Sequence, residues 1–386
     1  MSTSKSSSRL SQWALAALAG LALSTGACGG DATSKKSHKS SSKKNKGKDK
    51  DKAKKKTKKA PAVSGIKLLD AAKKYFSPLP ARADNPSNPT SAEKVALGRA
   101  LFFDTRLSKN QDIACNSCHL LDKFGVDNQK TSPGHKGQRG DRNSPSVYNA
   151  ATHFAQFWDG RAADVEEQAL GPILNPVEMA MPNEAAVIAV LTSIPGYKDM
   201  FAAAFPGEDN PITFANVGKA IGDFERGLIT PGPFDDFMAG DTSALSADAL
   251  QGLQLFIDAG CIQCHTGPNL GGTMYQKLGS VKEYKTEDLG RFKITNNEAD
   301  KKAFKVPGLR NVTKTAPYLH DGVSATLDDV LNVMAEYQTA KGKLDDDERR
   351  YLTAFLETLT GKVDAEYTRK PELPESGPKT PAADPS

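Results

Sequence analysis

The sequence predicts a mainly α-helical protein with two similar domains and long loops. Apolar residues recur at helical spacing in many segments of residues 64–362, and alternating strand patterns are nearly absent. One short unit, a helix followed by a pentapeptide, occurs twice. A body of this length is sufficient for two domains with separate hydrophobic cores.

Residues 1–28 have the pattern of a lipoprotein-type export signal. Lys5 and Arg9 supply the positive start, residues 13–23 supply the apolar run, and a small-residue box ends at Cys28. The run is too short to span a membrane comfortably. The pattern predicts export to the periplasmic side of a bacterial membrane. There the protein is either held by a lipid anchor at Cys28 or cleaved in the ordinary way and soluble.

Residues 29–63 have the composition of a disordered tether rich in lysine and serine. Residues 34–60 carry a charge of +12, residues 1–33 carry +1 and the whole chain carries +5, so residues 61–386 carry −8. This acidic body argues against nucleic acid as a partner. The tether is either a plain spacer or a contact to anionic lipid headgroups.

Two pentapeptides of the form C-x-x-C-H carry the chemistry, at Cys115–His119 and Cys261–His265. The pattern is the attachment signature of c-type haem, in which two thiols bond the porphyrin and the histidine lies under the iron. A thioredoxin-like dithiol does not require the histidine, and a zinc site would gather its four ligands in one place. The sequence therefore predicts two cytochrome c-like haem domains. The predicted haem-binding residues are Cys115, Cys118, His119, Cys261, Cys264 and His265.

Each pentapeptide follows the same pattern, G-x-x-L-F-x-D, which spans Gly98–Asp104 in the first copy and Gly252–Asp258 in the second. The repeat predicts that a helix precedes each haem-binding motif. Further helices are predicted over 247–258 after the N-cap Ser246, after the capping box Thr326–Asp329, and over 346–359.

The second axial ligand decides what each haem does, because a thioether raises the reduction potential and an open position permits substrate chemistry. Ligand residues are expected in the long loops 122–148 and 266–296. Of the six histidines, two belong to the pentapeptides and one lies in the tether. His135, His153 and His320 remain as candidates.

Five sequence motifs resemble those of the bacterial di-haem cytochrome c peroxidase family, and the resemblance covers essentially all of residues 64–362. The motifs are GHKGQRGDRNSPSVYN (134–149), FWDGRAADVEEQ (157–168), VEMAMP (177–182), FKVPGLRNVTKTAPYLHDG (304–322) and VMAEYQ (333–338).

The resemblance implies roles for individual residues. His135 matches the labile distal ligand of the N-terminal, low-potential haem, and Met334 matches the distal ligand of the C-terminal, high-potential haem. Without the family, His135 is a loop histidine of unknown role and Met334 is a core residue of an apolar helix. Glu178 matches the carboxylate of the peroxide pocket, where it can move a proton between the two oxygens.

Other matches extend the predicted site. Trp158 corresponds to the tryptophan between the two haems, although a plain core role is the alternative. Gln168 and Phe157 match residues that line the pocket, and His320 is expected to have a structural or haem-propionate role. His153 receives no role.

The resemblance also implies a calcium site at the domain interface, formed by Asn143, Thr315 and Pro317. One side-chain oxygen, two backbone carbonyls and water are hard oxygen ligands of the kind that calcium prefers. A structural turn is the alternative for these residues.

The implied activity is reduction of hydrogen peroxide to water by a homodimer, with electrons from a small periplasmic cytochrome c or cupredoxin. The N-terminal, peroxidatic haem domain is predicted over 64–228 and the C-terminal, electron-transfer haem domain over 229–361. The tail, 362–386, is expected to pack partly on the N-terminal domain and to end in disorder.

Three alternatives remain. A related enzyme that matures a protein-derived quinone cofactor has a tyrosine where this chain has Met334. A pure electron-transfer cytochrome would have no use for Glu178 or for a displaceable His135. A peroxide-sensing or haem-storage lipoprotein would keep the ligands but lack a competent donor.

Overall fold

The computed structural model describes residues 63–386, so the predicted export signal, Cys28 and nearly all of the predicted tether lie outside the described residues. The mainly helical class is confirmed. The α-helices of this part are α1 (Gly65–Ala72), α2 (Ala92–Phe103), α3 (Cys115–Cys118), α4 (Val165–Leu174), α5 (Glu184–Ser193), α6 (Pro195–Ala204), α7 (Phe214–Glu225), α8 (Pro233–Ala239), α9 (Ala247–Asp258), α10 (Phe292–Thr295), α11 (Leu327–Gln338) and α12 (Asp346–Glu357).

Side-chain caps fix where the principal helices begin. Ser91 accepts a hydrogen bond from the backbone N–H of Lys94 at the start of α2, and Ser246 does the same for Ala249 at the start of α9. Thr326 and Asp329 form a reciprocal capping box at the start of α11. Helix α9 has the predicted bounds, whereas α12 ends two residues before the predicted end.

The glycine of the repeated G-x-x-L-F-x-D pattern permits a close helix crossing in each half of the chain. A Cβ atom on Gly98 would lie 1.8 Å from the carbonyl oxygen of Ala220 in α7, and one on Gly252 would lie 1.9 Å from that of Tyr351 in α12. Only a residue without a side chain allows the two backbones to approach so closely. The repeat therefore specifies a helix pair, α2 with α7 and α9 with α12.

Two hydrophobic cores surround these helix pairs. The first contains the inner faces of α2 and of α4 to α7, with Phe102 and Phe224 in edge-to-face contact at 5.4 Å. The second contains the inner faces of α8, α9, α11 and α12, where Phe234 and Phe355 meet at 5.6 Å.

The start of the described chain packs in a different core from the one that the predicted boundaries imply, whereas the tail packs on the first half as predicted. The predicted N-terminal domain begins at residue 64, yet Leu68 and Leu69 of α1 pack in the second core. In the tail, Tyr367 stacks on Phe224 of the first core at 5.2 Å. The last residues of the tail, which were predicted to be disordered, also lie against the first half. The N–H of Asp384 donates to the carbonyl of Lys109 at 2.9 Å.

The strands β1 (Tyr275–Lys277) and β2 (Ala303–Lys305) form one short antiparallel sheet, in which Tyr275 pairs with Lys305. Three-residue strands are too short to show an alternating pattern in the sequence. Among residues 63–386, no helix is both long enough and apolar enough to cross a membrane.

Candidate active site

A cavity of about 250 Å³ lies beside the second pentapeptide. Cys261, Cys264, His265 and Met334 of α11 are among the residues that line it. Leu327 and Leu331 precede Met334 on the same helix at intervals of four and three residues and share its face. The structure thus brings the predicted thioether ligand and the second haem-binding motif to the same cavity.

The two pentapeptide histidines are held in the same way. The Nδ1 atom of His265 lies 2.9 Å from the carbonyl oxygen of Leu270, and that of His119 lies 3.3 Å from the carbonyl oxygen of Gly125. Because a carbonyl only accepts, each ring carries its proton on Nδ1 and leaves a lone pair on Nε2. Burial lowers the pKa of both imidazoles and keeps them neutral, as metal ligation requires.

The four pentapeptide cysteines are thiols without a disulfide. Burial raises the pKa of Cys118 to about 11 and that of Cys261 to about 12, and it raises the pKa of Cys115 as well. Redox-active dithiols have lowered values instead. Residues 63–386 contain no cluster of three or more metal-ligating His, Cys, Asp or Glu side chains. The donor sets, two thiols and one imidazole each, therefore fit covalently attached haem better than a dithiol or zinc site.

Glu178 lies near the first pentapeptide. Its charge acts on the Cys118 thiol, which also hydrogen-bonds with Ser132. The backbone N–H of His135 donates to the carbonyl of Glu178 at 2.8 Å, and a Cβ atom on Gly134 would lie only 1.9 Å from the carbonyl oxygen of Val177. The loop that carries His135 is therefore seated directly on the segment that carries Glu178.

The carboxyl group of Glu178 is half-buried. Burial raises its pKa, while the positive charge of Arg161 and a hydrogen bond from Asn175 oppose the increase. The Asn175 amide donates to Oε1 of Glu178 at 3.0 Å. A carboxyl group with a raised pKa and a fixed orientation is suited to carry a proton. Asn175 and Arg161 were not identified from the sequence.

Phe157 contacts Arg161. The guanidinium group is 3.4 Å from the centre of the phenyl ring, and the backbone of Phe157 has a positive φ of 65°. The ring also approaches Gly171 of α4. Gln168, three residues earlier on α4, is half-buried.

Trp158 connects segments from both halves of the chain. Its indole N–H donates to the carbonyl of Asn143 at 2.9 Å, and its own carbonyl accepts from the N–H of Lys305 in β2 at 2.8 Å. The ring centre lies 6.4 Å from that of His320, which stacks on Phe304 at 4.2 Å. Trp158 lines the cavity of the second pentapeptide.

The three residues of the predicted calcium site, Asn143, Thr315 and Pro317, line this same cavity. The backbone N–H of Asn143 donates to the carbonyl of His320 at 2.7 Å, and its side-chain amide donates to the carbonyl of Gln129 at 2.9 Å. The first of these bonds holds Asn143 against His320 of the second half, and the other holds it against Gln129 of the first half.

An ionic cluster that the sequence did not reveal joins the same two halves. Arg142 donates to Asp159 at 2.6 Å and to the two carboxylate oxygens of Asp288 at 2.7 and 3.0 Å. Arg142 and the N–H of Gly290 hold the pKa of Asp288 far below its usual range despite burial. Arg142 follows the loop of His135 by seven residues, so this cluster anchors that loop to the second half.

The fold and the donor sets define a class of protein: a mainly helical protein with two c-type haem sites that differ in their surroundings. The family model described as di-haem cytochrome c peroxidase matches residues 92–243. The chain is 46% identical over 309 residues to cytochrome c551 peroxidase of Nitrosomonas europaea, covering 79% of this chain and 90% of that protein. It is 43% identical over 327 residues to cytochrome c551 peroxidase of Pseudomonas aeruginosa, with coverage of 83% and 94%.

A solved structure of a MauG-like protein associated with microbial copper homeostasis has the same fold. The TM-score is 0.69 at 30% identity, over 76% of this chain and 97% of that one. The chain therefore belongs to the di-haem cytochrome c peroxidase family, as predicted, and is a peroxidase with two c-type haems.

Proposed function

We propose that this enzyme reduces hydrogen peroxide to two water molecules at the site of His119, with electrons that enter at the site of His265. Two electrons and two protons balance the reaction. The observation that supports this division is the difference between the two sites. Met334 offers a thioether to the second site, whereas the first site has Glu178 and the loop of His135 in direct backbone contact.

Haem iron at the two sites supplies the redox chemistry. In the proposed cycle His135 would help to hold the haem of the His119 site in the resting enzyme, and its loop would move when the second site is reduced. Glu178 then takes a proton from one peroxide oxygen and gives it to the other, while Asn175 keeps the carboxyl group in place. Phe157 and Gln168 line the peroxide pocket, and Trp158 fills the path between the two sites.

The remaining assignments extend this proposal. Residues 64–228 form the peroxidatic domain, residues 229–361 the electron-transfer domain and residues 362–386 a tail, with α1 packed on the second core. Calcium at Asn143, Thr315 and Pro317 holds the interface together through oxygen ligands. His320 supports Trp158 by ring contact rather than by ligation.

The proposed setting is the periplasm of a bacterium, with a lipid anchor at Cys28 and a homodimer as the working form. The electron donor is a small cytochrome c or a cupredoxin. The charge of −8 on residues 61–386 supports a basic docking face on that donor.

A stoichiometric assay tests the proposal. Holoenzyme with two haems per chain is mixed with peroxide and a reduced cytochrome c or cupredoxin under anaerobic conditions. The expected result is oxidation of two one-electron donors for each peroxide consumed. Haem-loaded protein that accepts electrons from the donor but does not consume peroxide would contradict the proposal and favour an electron-transfer cytochrome.

A further inference from the structure

Three polar side chains from separate segments form a buried cluster that the proposed cycle does not use. The Nζ atom of Lys305 lies 2.8 Å from Nδ1 of His153, and Nε2 of His153 lies 2.6 Å from Nδ2 of Asn269. Lys305 is 5% exposed and Asn269 is 2% exposed. All three residues line the cavity of Cys261, Cys264, His265 and Met334.

Lys305 has no carboxylate partner among residues 63–386, since no ion pair connects it to an Asp or Glu of that range. Arg310, in the wall of the same cavity, does have a carboxylate partner. Asp235 accepts two hydrogen bonds from its guanidinium group at 2.6 and 2.9 Å. A buried cation without such a partner is costly. Burial accordingly lowers the pKa of Lys305 to about 7.

The cavity cannot supply the missing negative charge from its own wall. No aspartate or glutamate side chain is among its lining residues in the described part of the chain. The positive charge of a protonated Lys305 is therefore matched only by an anion that enters the cavity.

The anion that the attached cofactor brings into this cavity is a propionate carboxylate of its porphyrin. We propose that Lys305, supported by His153 and Asn269, binds a propionate of the haem attached at Cys261 and Cys264. The inference rests on the proposed function only in that this haem receives the electrons. Lys305 is thus a positioning residue, next to Trp158 through the backbone hydrogen bond of 2.8 Å.

A fixed positive charge beside this haem has a measurable effect. It disfavours the oxidised form, which carries one more positive charge than the reduced form, and therefore raises the reduction potential. Lys305→Met removes the charge while keeping an unbranched apolar chain. Lys277→Met is the matched control, because Lys277 is exposed and lies on the paired strand β1.

The experiment is a spectroelectrochemical titration of both haems in the holoenzyme of the wild type and the two variants. We expect a lower potential for the His265 haem in Lys305→Met, with a smaller change at the His119 haem. Both potentials should be unchanged in Lys277→Met. A potential of the His265 haem in Lys305→Met equal to that of the wild type would overturn the proposal.

A second measurement does not depend on the folding of a variant. In an experimental structure of the wild-type holoenzyme, Nζ of Lys305 is expected within about 3.2 Å of a propionate oxygen. A holoenzyme structure in which Nζ of Lys305 contacts no propionate oxygen would contradict the inference. Peroxide turnover by the wild type is measured separately, so that loss of the proposed function and failure of this propionate contact give different results.

Discussion

The backbone N–H of His135 and the carbonyl oxygen of Glu178 form a hydrogen bond of 2.8 Å. It joins the residue proposed to leave the iron to the residue proposed to move the proton. Any movement of the His135 loop must break or carry along this bond, so the opening of the site and the placement of the carboxyl group are coupled. The ionic cluster of Arg142, Asp159 and Asp288 attaches the far end of the same loop segment to the second half.

Replacement of Glu178 by glutamine is expected to lower kcat for peroxide by about 10²- to 10⁴-fold, the range of a lost general acid–base group. Haem content and the spectrum of the half-reduced enzyme should not change, because the amide has nearly the same shape. Glu184→Gln, at an exposed position on α5, is the control and should retain wild-type kcat. Full peroxide turnover by Glu178→Gln would remove Glu178 from the proposed mechanism.

Replacement of Met334 by histidine is expected to lower the potential of the His265 haem, because an imidazole stabilises oxidised iron more than a thioether does. Met274→His, at an exposed methionine outside the cavity, is the matched control. The measurement is a potentiometric titration followed by the absorption of each haem. An equal potential in Met334→His and wild type would show that Met334 is a core residue and not a ligand.

Alanine at Gly98 or Gly252 tests the structural repeat. Each new Cβ atom would lie under 2 Å from a backbone oxygen of the partner helix. We expect a loss of about 1–3 kcal/mol in the free energy of unfolding for each variant. The free energy of unfolding should fall for the half of the protein whose core contains the substituted glycine.

Gly140→Ala is the control for both, since nothing lies within 4 Å of the added atom. Urea unfolding, followed separately by the absorption of each haem, measures the effect. Stability of Gly98→Ala and Gly252→Ala equal to that of Gly140→Ala would show that the helices do not cross this closely.

Glu225 gives a pH-dependent prediction. Burial and the nearby charge of Glu166 raise its pKa from 4.5 to about 8. The folded state thus favours the protonated carboxyl group. The contribution of Glu225 to the free energy of unfolding is fully present below pH 4.5 and is lost as the pH rises to about 8. Glu225→Gln mimics the protonated form and should exceed the wild type in stability above pH 4.5, by up to about 5 kcal/mol at pH 8 and above.

Thermal or urea unfolding of the holoenzyme between pH 5 and 9 measures this difference. Glu184→Gln should show no such trend, because Glu184 is exposed. A constant difference between Glu225→Gln and wild type across this range would contradict a raised pKa at Glu225.

The local signals of the sequence predicted much of this fold. Ser246 and the Thr326–Asp329 box determine helix starts through bonds to neighbours three residues away, which a pattern can show. The repeat predicted a helix before each pentapeptide, and the approach of Gly98 and Gly252 to their partner helices explains why the glycine recurs.

Contacts between distant segments could not be predicted in this way. Arg142 and Asp288 are 146 positions apart, and Lys305 and His153 are 152 apart. Nothing in the local pattern of Leu68 and Leu69 says which of two similar cores receives them. The roles of His135, Glu178 and Met334 came from the resemblance to a family, and they stay predictions here.

The most direct test of the proposed switch is the absorption and EPR spectra of the calcium-loaded holoenzyme, first fully oxidised and then reduced by one electron. The proposal predicts that the His119 haem is low-spin with two histidine ligands when oxidised, and becomes high-spin and peroxide-reactive after half-reduction. The His265 haem should show histidine–methionine ligation. Two haems that stay six-coordinate and inert to peroxide in both states would contradict the proposed release of His135.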